Sequence, residues 1–310
     1  MRDNILRYSR TTSLSPLFSE ALDEAIGNGL FPSEQDIENV IVPTLVQNLT
    51  DYATQCGVNS VVLGISGGLD SALTAALFRD AGYRVIGVTM PIHQDPNETQ
   101  RGFATCAALG IEHKHIDLSP LYDSMLERQM VLDEAIVSET ADKAIKVRRG
   151  NIRARLRMIT LYNLAASVGG FVASTDNLSE LALGFWTLHG DVGDVCPIQS
   201  LTKSWEVPYA AKLMGVPDSI VFATPTDGLG IDSGDEAQLG ATYLEMDLMM
   251  FSLANQITAR IDTTIMRNRL NDTWFKRHGA INLPHPIFGT GPYDTIASLE
   301  TYPPIVKQWA

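Results

Sequence analysis

The stretch that decides the fold is Val61-Val62-Leu63-Gly64-Ile65-Ser66-Gly67-Gly68-Leu69-Asp70-Ser71. It begins as a compact apolar run, typical of a buried strand, and an alanine-rich segment typical of a helix follows from about 71 to 81. The paired glycines between them allow backbone N–H groups to approach a ligand, and the helix N-terminus adds partial positive charge. The turn therefore predicts an anion site, and phosphate is the anion that fits it best. The alternative is a tight turn that Asp70 and Ser71 merely cap.

The same strand-turn-helix pattern continues downstream. Further strands are predicted at 84–90, 112–118 and 171–174, with a fifth at 195–198, and helices at 98–109 and from 120 to about 168, interrupted near Gly150. Short connections between alternating strands and helices indicate parallel strands with right-handed crossovers. We therefore predict an α/β fold, a doubly wound parallel sheet with flanking helices.

The rest of the chain is predicted to surround this sheet as part of one domain, 1–310. Ser33 is a candidate N-cap for a long amphipathic helix that ends before Gly57, and helices are also expected at 204–214 and 235–269. Residues 1–32 form an N-terminal arm. Residues 280–310 are rich in proline and are predicted to be an irregular tail.

Composition limits the class of protein. The chain has 36 acidic and 23 basic residues, a net charge of −13, and 45% hydrophobic residues, which excludes a disordered chain. A negative surface repels nucleic acid and anionic membranes, so neither is an expected partner. No run approaches the roughly 18 apolar residues of a membrane span. The three cysteines lack the paired spacing of a zinc or redox site, and a reducing, cytoplasmic location is expected.

One segment runs against the acidic composition. Residues 146–157 contain no acid and six bases: Lys146, Arg148, Arg149, Arg153, Arg155 and Arg157. Arg149, Arg153 and Arg157 are spaced i, i+4, i+8 and share one helix face. This cluster could supply the local cations that hold phosphates in an acidic protein, and a solvated basic face is the alternative.

Four motifs carry a resemblance to known enzymes. Ser-Gly-Gly-Leu-Asp-Ser at 66–71 resembles the pyrophosphate loop of the N-type ATP pyrophosphatases. Residues 149–158 resemble the G-N-x-x-A-R-x-R-M helix of the NAD synthetase family. Residues 174–180, with 184–187 and 190–191, resemble that family's G-T-D-x-x-x-E, G-F-[FW]-T and G-D segments, and 235–243 resemble its D-E-x-x-L-G-x-[TS]-Y. Ser174 and Asn177 depart from the family's usual glycine and histidine.

The resemblance implies an adenine nucleotide alpha hydrolase-like fold and a ligase that completes NAD biosynthesis. Such an enzyme uses ATP and Mg²⁺ to adenylate nicotinic acid adenine dinucleotide (deamido-NAD). Ammonia then displaces AMP, and pyrophosphate is the other product. Two alternatives are another ATP pyrophosphatase, such as a tRNA-modifying enzyme, and a catalytically silent nucleotide-binding regulator.

The resemblance also assigns candidate site residues. ATP is expected at Gly64, Ser66, Gly67, Gly68, Asp70, Ser71, Thr175, Lys203 and Thr226. Deamido-NAD is expected at Asn151, Arg155, Arg157, Asp191, Asp194, Lys276 and Arg277. Asp70 and Glu180 are the candidate Mg²⁺ ligands.

Three residues are the catalytic candidates. Lys203 is expected to stabilise the departing pyrophosphate, and Asp191 or Asp194 to orient ammonia or accept a proton. The spacing of these two aspartates leaves their roles open, since the family's G-D-G-G-x-D is one residue longer.

Partners are predicted from the same comparison. A homodimer is expected to pack through the apolar side of the 149–158 helix. Free ammonia is the expected nitrogen donor, because no length is left for a glutamine-hydrolysing domain, and delivery of ammonia by a separate protein is the alternative. Residues 225–234 are interpreted as a loop that covers substrates, with a plain surface loop as the alternative.

Overall fold

A parallel sheet forms the centre of the protein. The computed structural model describes residues 1–137, 142–226 and 234–277, and within them the sheet has the strand order β3-β2-β1-β4. The strands are β1 Ser60–Gly64, β2 Arg84–Thr89, β3 Glu112–His115 and β4 Phe171–Val172. In place of the predicted fifth strand there is a single parallel bridge between Ala173 and Val195.

The strand order creates a switch point between β1 and β4. The chain runs outward from β1 to β2 to β3, in parallel register from Ser60 opposite Arg84 to Gly64 opposite Val88, and then returns to place β4 on the other side of β1. Because parallel crossovers share one handedness, this change of direction places helices on both faces of the sheet. Open α/β sheets bind ligands at the carboxyl ends of the strands at such a point. The predicted doubly wound parallel sheet is confirmed.

Helices cover both faces of the sheet. Those that follow the strands are α5 Leu69–Asp80, α6 Pro96–Leu109, α7 Ser119–Gln129, α8 Lys143–Val168 and α9 Leu178–Leu183. Val61 and Leu63 point into one apolar cluster and Val62 into the other, as the two-residue period of a strand requires. Because both faces are buried, the β1 sequence is apolar from Val61 to Leu63.

The long helical region differs from its prediction. Helix α8 is unbroken from Lys143 to Val168, and the predicted interruption at Gly150 is wrong. A single glycine inside a helix costs about 1 kcal/mol, which the packing of a 26-residue helix on the sheet outweighs. The helix instead begins at the Asp142 cap and ends at Gly169, which has a left-handed φ of 63°.

The predicted helix 235–269 is also wrong, because it is three helices. They are α12 Asp235–Leu239, α13 Tyr243–Leu253 and α14 Thr264–Asp272. Gly240, with φ +87°, ends the first, and Thr242 begins the second in a reciprocal capping box with Glu245. Along the chain, α10 Glu206–Leu213 and α11 Asp218–Val221 come between α9 and α12. A 3₁₀ turn at Trp274–Arg277 ends the described part of the chain.

The N-terminal arm is part of the main core. Its helices are α1 Arg2–Tyr8 and α2 Pro16–Gly27, and it is followed by α3 Glu34–Asp36, a π-helical turn Ile37–Ile41 and α4 Val42–Cys56. Ile5 and Leu22 are fully buried, and the Tyr8 ring lies against Trp205, Tyr209 and Phe222. The predicted tail, 280–310, lies outside the described residues. Across those residues, no helix combines the length and the apolar character that crossing a membrane requires.

Candidate active site

A cavity of about 440 Å³ opens at the switch point of the sheet. Most of the predicted site residues line it: Gly64, Ser66, Gly67, Gly68, Asp70, Asn151, Arg157, Thr175, Glu180, Asp191, Lys203, Thr226 and Lys276. The sheet topology therefore brings together motifs that are more than 200 residues apart in sequence. Ser71, Arg155, Asp194 and Arg277 lie outside the lining.

The glycine turn after β1 is built for close approach. Gly67 has φ +84°, and a Cβ there would lie 2.2 Å from the carbonyl oxygen of Glu98. Gly68 is the N-cap of α5 and brings no side chain to cap it. Ser71 Oγ donates to the Gly68 carbonyl at 3.0 Å and lies 3.2 Å from Ser66 Oγ. Ser71 therefore stabilises the turn without lining the cavity. The helix N-terminus thus faces the cavity, as an anion site requires.

Lys203 lies at the centre of the cavity between two carboxylates. It is 8% exposed, its Nζ is hydrogen-bonded to Asp70, and Nζ lies 3.7 Å from Glu180 Oε1. Burial alone would lower the pKa of Lys203, but the carboxylates of Asp70 and Glu180 outweigh it and raise that pKa. The side chain therefore stays charged and can stabilise a developing anion in a site with little water.

Asn177 sets the positions of both carboxylates. Its Oδ1 accepts from the Glu180 N–H at 3.0 Å, and its own N–H donates to Glu180 Oε2, which is a capping box at the start of α9. Its Nδ2 donates to Asp70 Oδ1 at 2.9 Å. Sequence reasoning recorded Asn177 as a departure and missed this role, although an Asn three residues before a Glu is the signature of a capping box.

The pair Asp70 and Glu180 fits a magnesium ion. Both carboxylates converge on the single ammonium of Lys203, so they can share one small cation. Mg²⁺ is bound by one or two protein carboxylates together with waters and substrate phosphates. In the described parts of the chain there is no cluster of three or more His, Cys, Asp or Glu with metal-binding geometry. A bound ion here would share its coordination with the substrate.

A second polar group lines the cavity on the α8 side. Thr187 donates from its N–H to Asp191 Oδ2 at 2.5 Å and from Oγ1 to Asn151 Oδ1 at 2.7 Å. Burial raises the pKa of Asp191, against the hydrogen bonds that Thr187 donates. Lys276 donates to the carbonyls of Gly184 and Trp186, which places a cation beside Asp191. The cavity thus has one end formed by the glycine turn and Lys203, and a separate end with a carboxylate, an amide and a cation.

The NAD synthase family model matches residues 41–277. The chain belongs to this family. It is 35% identical over 208 residues to an NH(3)-dependent NAD(+) synthetase of Alkaliphilus metalliredigens, an overlap of 66% of this chain and 83% of the relative. The predicted membership of the NAD synthetase family is confirmed.

Solved structures agree with the family. An NMN synthetase of Francisella tularensis superimposes with a TM-score of 0.70 at 28% identity, covering 83% of this chain and 99% of that one. An NH3-dependent NAD synthetase of Campylobacter jejuni superimposes with a TM-score of 0.58 at 27% identity, covering 79% and 96%. The predicted adenine nucleotide alpha hydrolase-like fold is confirmed, and neither a tRNA-modifying enzyme nor a silent regulator is favoured.

Three residues that the family resemblance assigned to substrate lie outside the cavity lining and form hydrogen bonds elsewhere in the protein. Asp194 accepts from the Val172 N–H and from the Tyr162 hydroxyl, each at 2.9 Å, and so holds the β4 edge. Arg155 donates to the Leu188 carbonyl. The third, Arg277, donates to carbonyls at the end of α9. Of the two catalytic aspartates that the sequence left open, Asp191 is the one that lines the cavity.

The N-terminal arm brings residues to the cavity that no NAD synthase motif indicates. Tyr8, Ser9 and Arg10 are part of the lining, although they precede the matched residues 41–277. Arg10 has a left-handed φ of 58°, and its guanidinium donates to the Ala223 carbonyl at 2.9 Å. The arm has no motif and no strong period near Arg10, so sequence reasoning had no signal for this contact.

The predicted covering loop is described only at its two ends. Thr226 donates from Oγ1 to Glu98 Oε1 at 2.7 Å, which places the start of the loop beside the glycine turn. Gly234 begins the other end. Residues 227–233 lie outside the described part of the chain.

Proposed function

We propose that this chain is an ammonia-dependent NAD synthetase, a ligase that amidates deamido-NAD with ammonia and converts ATP to AMP and pyrophosphate. One observation carries the proposal. A glycine turn at a helix N-terminus, a buried Lys203 between Asp70 and Glu180, and a separate polar end at Asp191 share one cavity. Membership of the family indicates the reaction. The two ends of the cavity are its two half-sites, one at the glycine turn and Lys203 for ATP and one at Asp191 for the nicotinate.

In the first step, a carboxylate oxygen of nicotinate attacks the α-phosphorus of ATP. The bond from that phosphorus to the bridging oxygen breaks, and pyrophosphate leaves with the electron pair. The Gly67 amide and the N-terminus of α5 hold the departing phosphates, and Lys203 neutralises the charge that develops on them. Ser66 and Ser71 keep the turn in its shape.

Asp70 and Glu180 would hold the Mg²⁺ ion in this step. When bound, the ion neutralises charge on the phosphates and aligns them for displacement. Asn177 orients both ligands through its two hydrogen-bonding groups. The support for this assignment is the convergence of both carboxylates on one cation in the structure.

In the second step, ammonia attacks the carbonyl carbon of the adenylate and AMP leaves. The α8 side of the cavity would hold the deamido-NAD portion, with Asn151, Arg157 and Lys276 as polar partners and Asp191 beside the nicotinate. Arg157 is fixed for this purpose by hydrogen bonds to the Met90 carbonyl and to Gln94.

A homodimer through α8 is part of the proposal. Ile159 and Tyr162 on this helix are 66% and 41% exposed, an apolar surface that a second copy would cover. Sedimentation should give a dimer for the native chain, and Ile159→Glu should shift it to monomer. A native monomer at micromolar concentration would exclude the dimer. A cytoplasmic location also stays a proposal, supported by cysteines that do not pair.

A second candidate function differs only in substrate size. The NMN synthetase of Francisella tularensis superimposes better than the NAD synthetase of Campylobacter jejuni, with TM-scores of 0.70 and 0.58. The same chemistry on nicotinic acid mononucleotide would give NMN. Both candidate functions need the glycine turn and Lys203 equally, so a comparison of the two substrates must distinguish them.

One experiment tests both. The purified chain is incubated with ATP, Mg²⁺ and ammonium chloride, in parallel with deamido-NAD and with nicotinic acid mononucleotide, and NAD, NMN and AMP are measured by chromatography. We expect NAD and AMP in equal amounts, only when ammonium is present, with a higher kcat/KM for the dinucleotide. A higher kcat/KM for the mononucleotide would select the second candidate. Absence of AMP formation with both substrates would exclude both functions.

A further inference from the structure

Asp176 is a buried carboxylate in the cavity to which neither the sequence nor the proposed mechanism assigns a role. It follows β4, is 6% exposed, and belongs to the cavity lining. Its Oδ2 is buried and has no hydrogen-bond partner among the described residues. A buried carboxylate oxygen without a partner is costly, so an apolar or amide residue would serve a purely structural purpose better.

Asp176 does not act as a helix N-cap. An Asp directly before a helix is commonly its N-cap, but α9 is capped by Asn177. The main chain of Asp176 is held in place, since its carbonyl accepts a weak hydrogen bond from Cys196 Sγ at 3.6 Å. The residue thus lines the cavity, while one oxygen of its carboxylate is buried without a partner among the described residues.

Asp176 shares one cavity with both half-sites. The charges that act on it most strongly are those of Asp191, on the α8 side, and Asp70, beside Lys203. The adenylated carboxyl of the substrate must lie between the same two groups, because its phosphate faces Lys203 and its ring faces Asp191. Asp176 lines the same cavity as both groups and is therefore available to the atoms held between them.

On the basis of the proposed function, we propose that Asp176 accepts the proton that ammonia loses when it attacks the adenylate. The nitrogen lone pair forms the new bond to the carbonyl carbon. The bond from that carbon to the AMP oxygen breaks, and AMP leaves with the electron pair. One N–H proton passes to the Asp176 carboxylate, which later releases it to water. The products are the amide, AMP and a protonated carboxyl, so atoms and charges balance.

The proton affinity of Asp176 suits this role. Burial and the carboxylates of Asp191 and Asp70 raise the pKa of Asp176 to about 7. An acceptor whose pKa lies near the working pH is effective as a base and is also readily reset. Asp191 is less suited as acceptor, because its Oδ2 already accepts a hydrogen bond from the Thr187 N–H.

The test separates the two half-reactions. Adenylation without ammonia is followed by exchange of labelled pyrophosphate into ATP in the presence of Mg²⁺ and deamido-NAD, and amidation by ammonia-dependent NAD formation. In Asp176→Asn we expect the exchange rate to stay within about threefold of the native rate while NAD formation falls at least about 10²-fold. Hydroxylamine, a less basic nucleophile whose adduct loses its proton more readily, should give a smaller deficit than ammonia.

Controls distinguish failure of this inference from failure of the proposed function. Asp51→Asn, an exposed carboxylate bonded only to Gln47 on the surface of α4, should match the native chain in both assays. Circular dichroism and thermal melting check the fold of Asp176→Asn, and Asp176→Ser replaces it if it does not fold. A loss of exchange equal to the loss of NAD formation would overturn the assignment, as would an unchanged NAD rate. If the native chain shows neither activity, the proposed function itself is wrong.

Discussion

Lys203 donates a hydrogen bond from its ammonium to the carboxylate of Asp70, although 133 residues separate the two in sequence. The contact joins the helix that follows β1 to the segment that precedes α10. Glu180 lies on the other side of the same ammonium, and the Tyr243 ring lies 5.6 Å from it. A fixed, buried cation of this kind needs little reorganisation when charge develops beside it.

Removing this cation should therefore slow the chemical step more than it weakens binding. For Lys203→Met we expect kcat to fall by about 10²-fold or more, with a much smaller change in KM for ATP. Steady-state kinetics of pyrophosphate release measures both. Lys212→Met, which removes an exposed lysine paired with Asp218, is the matched control and should keep the native kcat. An unchanged kcat in Lys203→Met would remove Lys203 from the mechanism.

The glycine turn offers a second matched pair of variants. Gly67 and Gly82 have nearly the same φ, +84° and +83°, but only Gly67 faces an obstacle, the Glu98 carbonyl. Gly82→Ala should show the backbone cost alone, about 1–2 kcal/mol in the free energy of unfolding, with native ATP affinity. Gly67→Ala should lose more stability and also at least about tenfold in ATP affinity, since the amides must shift. Urea unfolding and nucleotide titration provide the two readouts, and equal ATP affinities in the two variants would contradict the phosphate-binding role.

The buried Asp176 also predicts how stability depends on pH. Its pKa is raised from 3.8 to about 7 in the folded protein, so between these values the folded chain binds a proton that the unfolded chain has released. The free energy of unfolding of the native chain must then fall as the pH rises through this window. Asparagine does not titrate, so the Tm of Asp176→Asn minus that of the native chain should increase from pH 5 to pH 8. Titrating groups that do not interact with Asp176 are common to both chains and cancel, and a difference independent of pH would show that the pKa is not raised.

The arm contact at Arg10 can be tested by comparing two arginines of the same arm. Arg10→Ala removes the hydrogen bond to the Ala223 carbonyl and loosens the segment that leads to Thr226. We expect KM for ATP to rise about tenfold with kcat little changed, which is the scale of a lost charged hydrogen bond. Arg2→Ala instead breaks contacts with Ser19 and Asp23 away from the cavity. A similar KM in both variants would mean that the arm contributes stability alone.

The sheet and the centre of the site could be predicted from sequence because local signals determine them. The apolar run of β1 and the paired glycines specify the strand and the turn, and parallel alternation then places Asp70, Glu180 and Lys203 at one edge. The structure keeps that arrangement. The predicted break at Gly150 and the single helix 235–269 were wrong because tertiary packing outweighs glycine in α8, while Gly240 and Thr242 redirect the chain after α12.

The rest of the site could not be predicted, because it depends on contacts between distant segments. Nothing in the sequence shows that Asn177 reaches Asp70, that Asp194 is used to hold β4, or that Arg10 reaches Ala223. The charged motif residues Arg155 and Arg277 are typical of phosphate binding by type, yet each is committed to backbone carbonyls. Residue type indicates what a side chain can do, and only the fold determines which partner it meets.

Because Tyr8, Ser9 and Arg10 line one side of the cavity, residues 41–277 do not by themselves enclose it. Small side chains in place of Tyr8 and Arg10 would keep every motif and the buried core, and would open that side to solvent, where water can compete with ammonia for an activated carboxyl. Exchanging residues 1–40 between homologues is consequently a way to change the rate at which water hydrolyses the activated carboxyl, while every motif residue stays the same.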